Sequence, residues 1–116
     1  MCTKLQLIGL FLLFKGCVAP LMLPTEQDVV RAQSDGNDVS LETLKKGHSL
    51  YQNKCGGCHY LYRPAKFSEE KWRSEMPEMS EKSKITTGEQ EIILNYLLTM
   101  QRSTLIPKDG LKNQTQ

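Results

Sequence analysis

Residues 55–64 read CGGCHYLYRP. Two cysteines stand three positions apart, a histidine follows the second directly, and a proline comes five residues after that histidine. The chain of 116 residues has only two histidines, so one of its two imidazoles is committed beside a thiol pair. Two thiols and an imidazole in that order form a donor set, and few chemistries need it.

Thiol, two spacers, thiol, histidine is the attachment pattern of a c-type haem. The reason is geometric. Two thiols on a single turn can each add to one of the two vinyl groups of the same porphyrin, and the adjacent imidazole then rises beneath the iron as proximal ligand. Gly56 and Gly57 leave the backbone unobstructed where the macrocycle would lie close. Cys55 and Cys58 are thus the expected attachment residues for one haem, and His59 the expected iron ligand. A zinc site would want two further Cys or His ligands at suitable spacing, and His48 is the one obvious spare. A thioredoxin-like dithiol wants strands around the motif, and no stretch here alternates convincingly with period two. A plain disulfide has no use for His59.

Working outward, Ser40 is a good N-cap, and Leu41, Leu44, His48 and Tyr51 fall at helical spacing on one face. A second helix is expected from Ser68, with Glu69 and Glu70 in its first turn where the macrodipole favours acids. It carries Trp72 and is expected to end near Pro77. A third helix is expected from TTGEQ, capped by Thr86 with Glu89 or Thr87 with Gln90. Ile92, Ile93, Tyr96, Leu97 and Met100 then form its wide apolar stripe. The expectation is an all-α domain over residues 40–102 with about three helices. So few residues bury little apolar surface, and domains this small need a staple. A covalently held porphyrin would supply the missing core.

GHSLYQNKCGGCH, residues 47–59, resembles the first helix of small class I cytochromes c, with Gly47, Tyr51 and Cys55 at intervals of four. The likeness covers residues 40–101 and is nearest to short monohaem cytochrome lipoproteins. It implies that Gly47 lets the first helix cross close against the last, with Tyr51 packed on it. It also implies an aliphatic and an aromatic three apart on the last helix, and Ile93 and Tyr96 match. The family closes the far side of the iron with a methionine, whose soft thioether raises the potential. Met1 and Met22 lie in the leader and tether, and Met100 belongs to the third helix's stripe, which leaves Met76 and Met79. Met79, seven residues after Trp72, matches the short lipoprotein spacing and is favoured. Met76 precedes Pro77, a Met-Pro pair common at this ligand, and stays the alternative. Pro64 is expected to turn the chain after the motif, its carbonyl or a neighbour's accepting the other ring N–H of His59. Trp72 is expected near the macrocycle, and His48 is expected to be a partly buried or surface residue rather than a ligand.

The N-terminus looks like a leader. A short cationic stretch over residues 1–4 precedes the apolar run LQLIGLFLLF at 5–14, half of the roughly 20 residues a membrane span needs. Gly16-Cys17 at its end resembles the lipobox of bacterial lipoproteins, which implies a signal peptide over 1–16 and a lipidated Cys17. Thr25 with Asp28 could cap a short helix over EQDVVRAQ, but residues 17–39 are expected to be mainly a tether that lets the domain stand off the membrane, and 103–116 a polar tail. Without Lys4 and Lys15, the fifteen basic residues fall to thirteen and match thirteen acidic ones. A nucleic-acid binder would carry a basic excess, and that class is set aside. The expected function is single-electron transfer by a membrane-tethered lipoprotein facing the periplasm or cell exterior, with redox proteins as partners and no enzymatic activity. The alternative is a five-coordinate haem domain that binds or senses gases or peroxide.

Overall fold

A computed structural model of the chain describes residues 21–105. The signal-like run, Cys17 and residues 106–116 of the expected tail lie outside the described residues, whereas residues 103–105, also expected in the tail, are helical. Four α-helices occur among the described residues, and no strand. They are α1 (Glu26–Ser34), α2 (Leu41–Leu50), α3 (Glu69–Ser83) and α4 (Thr87–Leu105). A π-helical turn, Tyr51–Cys55, prolongs α2, and a single 3-10 turn, Pro64–Lys66, precedes α3. The all-α class therefore holds, with one helix more than expected.

The helix starts follow from side-chain capping. Ser40 accepts the Thr43 N–H at 3.1 Å, and Ser68 accepts the Lys71 N–H at 3.2 Å. At α4, Thr86 donates its N–H to Glu89 Oε2 at 2.8 Å while Glu89 returns its N–H to Thr86 Oγ1 at 3.2 Å. Both halves of a capping box are thus present, from Thr86 rather than Thr87.

α4 is the hub on which α1, α2, α3 and the 3-10 turn all pack. Its stripe places Ile93, Tyr96, Leu97 and Met100 in the core, each no more than 1% exposed. The tightest approach is with α2. A β-carbon at Gly47 would run into the Ile92 carbonyl and stand 2.6 Å from Tyr96 Cβ, closer than non-bonded atoms approach. The two helices therefore meet backbone to backbone, and only glycine fits between them. Tyr51, one turn further along α2, packs beside this crossing with its ring 6.3 Å from that of Tyr96.

Two expectations need correction. The second helix does not end near Pro77 but continues through it to Ser83. Pro77 is exposed, so the Arg73 carbonyl that loses its N–H partner can turn to water. Helix formers flank it, and Lys82 pairs with Glu78 at 2.5 Å across the following turn. The helix stops instead at Lys84, whose φ of 54° is the left-handed turn that closes many helices. The second correction concerns the tether. Residues 26–34 form α1, and its Val29 and Ala32 are buried with Val39 and Leu44 in a second small core.

Asp28 fastens α1 to α4. Only 4% exposed, its carboxylate accepts Thr25 N–H and Oγ1, both at 2.7 Å, Arg31 Nη2 at 2.6 Å and Ser103 Oγ at 2.6 Å. Burial pushes the carboxyl pKa up, but the hydrogen bonds from Ser103 and Thr25 and the Arg31 charge outweigh it, leaving it below the usual range.

Two outcomes test this packing. Gly47→Ala should lower stability by about 1–3 kcal/mol, although alanine is the better helix former by about 0.5–1 kcal/mol. A urea midpoint equal to or above that of the parent would contradict the backbone contact. Asp28→Ala should cost about 1–3 kcal/mol at pH 7. Because folding depresses the Asp28 pKa, its contribution is present above the unfolded carboxyl value of about 3.9 and fades as pH falls below it. The gap between the two proteins' denaturation curves should therefore begin to narrow at about pH 4 and go on narrowing as pH falls through the lower folded-state value; a gap that does not narrow with falling pH would contradict the buried carboxylate.

Candidate functional site

The structure brings the residues singled out in the sequence to one groove. Its volume is about 450 Å³, within the range of small-molecule and cofactor pockets. Cys55, Cys58 and His59 line one part of it, and α3 supplies another with Trp72, Met76 and Met79. The aromatic rings of Tyr51, Tyr62 and Phe67 complete the apolar lining.

The approach to the motif is set by the π-helical turn. Widening α2 by one residue at Tyr51–Cys55 re-aims the chain just where the cysteines begin, a habit of π turns at functional sites. The turn ends against Gly56, whose α-carbon would hold a β-carbon only 2.5 Å from the Gln52 carbonyl oxygen. Glycine is needed there by the protein itself. At Gly57 a β-carbon would meet nothing within 4 Å, so that position faces open space.

Both thiols are unpaired, Cys55 half-buried and Cys58 exposed. Burial pushes the Cys55 thiol up, with a hydrogen bond involving Ser83 working against it. A nucleophilic dithiol needs the opposite shift. His59 holds its Nδ1 2.8 Å from the Tyr60 carbonyl. A carbonyl only accepts, so Nδ1 carries the proton and Nε2 keeps its lone pair. The sequence left that acceptor open between Pro64 and its neighbours, and the Pro64 carbonyl accepts Trp72 Nε1–H at 2.8 Å instead. The indole N–H is thereby satisfied inside the core.

The segment after the motif is laced to the helices by three side-chain donors. Tyr51 gives its hydroxyl proton to the Tyr62 carbonyl at 2.9 Å, Trp72 binds Pro64 as above, and Gln101 Nε2 donates to the Phe67 carbonyl. Tyr62, Phe67 and Trp72 then stack edge to face at 5.0 and 5.1 Å between centroids. Sequence reasoning missed Tyr62, Phe67 and Gln101. The two aromatics were visible only as residues downstream of the motif, and nothing in the sequence marked Gln101.

Trp72, Met76 and Met79 lie three and four apart, one face of α3. Because the helix continues through Pro77, both methionines reach the groove rather than a loop. Met76 is 4% exposed within the main core, and Met79 is only half-buried at the groove wall. His48 is not brought there. It is buried, edge-on to Tyr96 at 5.3 Å, with its Nε2 lacking a hydrogen-bond partner.

Charges at the rim divide unequally. On α3, Glu69, Glu75 and Glu78 are paired with Arg73, Lys71 and Lys82. Lys54, Arg63 and Lys66, around the motif, are exposed and form no ion pair with a described residue. Among the described residues, no group of three or more His, Cys, Asp or Glu side chains gathers as a metal site would require, and no helix is long and apolar enough to cross a membrane. Comparison with family models, with curated protein sequences and with solved structures gives no match.

Proposed function

We propose that the chain is a small monohaem c-type cytochrome of the class I kind, working as a single-electron carrier. Cys55 and Cys58 would hold one haem, each S–H adding across a vinyl group with sulfur to one carbon and hydrogen to the other. His59 would be the proximal iron ligand and Met79 the distal one. The observation that carries this reading is that CGGCH and the methionine face of α3 border the same groove. Its lining is apolar and aromatic, its volume is of cofactor size, and its two thiols are free to form thioethers.

When bound, the haem supplies reversible one-electron chemistry at iron. The chain's own residues do the rest. The Tyr60 carbonyl holds the Nδ1 proton of His59, which orients the ring and makes Nε2 a better donor. Met79, at the groove wall, has a thioether free to turn toward the iron, whereas Met76 is already committed to the core. Tyr62, Phe67 and Trp72 line the groove and would give the haem an aromatic surface to pack on. With His59 and Met79 both holding the haem, the domain would carry electrons rather than catalyse. The unpaired basic residues around the motif would orient an acidic redox partner. Export follows from the leader-like N-terminus, and a lipidated Cys17 would hold the protein to the outer side of a bacterial membrane.

The oxidised, exported protein should display the weak near-infrared band of Met-ligated haem. Met79→Ala should lose that band and begin to bind carbon monoxide in the reduced state, while Met76→Ala should keep it. The reverse pattern would move the ligand to Met76. A parent protein that lacks the band and binds carbon monoxide would favour the five-coordinate, gas-binding alternative.

A further inference from the structure

We infer that residues 21–25 seat the domain directly on a lipid surface, with the side chains of Met22 and Leu23 in the bilayer interface. The inference rests on the proposed lipidation of Cys17 but departs from a domain that stands off its anchor. A flexible tether over residues 17–39 would reach roughly 26 Å as a coil. The structure leaves no such length, because the chain is fixed to the domain from Leu21 onward. Leu21 packs against the main core, Tyr96 donates its hydroxyl to the Met22 carbonyl at 3.0 Å, and Pro24 is buried. Thr25 then caps α1, which Asp28 fastens to Ser103 at 2.6 Å. Only three residues separate Cys17 from Leu21, so the four chain steps between them span at most about 14 Å.

Within that reach the chain exposes two large apolar side chains. Met22 is 52% and Leu23 65% exposed, two of the few large hydrophobic side chains left in solvent among the described residues. Two side chains are far too little for a stable contact with a second copy, which takes roughly 800 Å² per partner. They suit the headgroup boundary, where an acyl anchor a few residues away has already paid the entropy of approach. Tyr96, which holds Met22, stands against Tyr51 at 6.3 Å, and Tyr51 lines the groove. Two rings, those of Tyr96 and Tyr51, therefore separate the seated segment from the groove.

The test uses the full exported chain on phosphatidylcholine vesicles that contain a phospholipid with a diazirine on its acyl chain. After illumination, peptide mass spectrometry should find lipid adducts on Met22 or Leu23 several-fold above those on residues 60–67. A chain that floats with the vesicles but carries adducts only before Leu21 would overturn the seating and leave the anchor standing. A chain that does not float with the vesicles would overturn the anchor, and the seating with it.

Discussion

The close crossing of α2 and α4 is the constraint from which the remaining geometry follows. With no side chain at Gly47, the backbone of one helix rests on the Ile92 carbonyl and Tyr96 of the other. That contact fixes the direction in which α2 leaves the core. One turn later Tyr51 is buried against Tyr96 and Trp72, and the π-helical turn carries the chain into the thiol pair. Any residue larger than glycine at the crossing would push α2 outward and move the motif away from α3. Packing at a point with no chemistry of its own therefore sets the distance between the two halves of the groove.

The groove is a division of labour between a short irregular segment and a long regular helix. Residues 55–67 are mostly non-helical, yet their carbonyls at Tyr62, Pro64 and Phe67 are each held by a side chain from a helix. Such bonds give a loop the rigidity that a cofactor site requires without burying unpaired polar groups. α3 adds a face of sulfur and aromatic side chains. In the proposed reading, the loop provides attachment and one axial donor, and the helix provides the other. The core left thin by a small chain is then completed by the cofactor.

Much of this was legible in the sequence because it depends on local or periodic signals. Ser40, Ser68 and the Thr86–Glu89 pair are capping residues whose action needs only their own helix. Gly47, Tyr51, Ile93 and Tyr96 were legible through resemblance to a family with that crossing. What was not legible depended on packing. A nine-residue helix such as α1 is marginal alone, and Val29 and Ala32 make sense only once Val39 and Leu44 lie opposite. Its capping signal at Thr25 and Asp28 was visible, but the fastening of Asp28 to Ser103 links residues far apart in the chain. Pro77 misled because proline disfavours helix by a local rule, whereas here it occupies an exposed position between good helix formers. The sequence left the acceptor for His59 open and did not mark the one that Trp72 finds. Which carbonyl faces which donor is settled by a loop path that no local pattern encodes.

The account turns on porphyrin bound covalently at Cys55 and Cys58, and the intact mass of the exported chain tests it most directly. Protein made in cells equipped for cytochrome maturation should weigh more than the same protein made in cells without that machinery by one iron porphyrin, and its colour should stay with the polypeptide through acid-acetone extraction. A folded chain that lacks this increment, colourless and with both thiols open to alkylation, would contradict it.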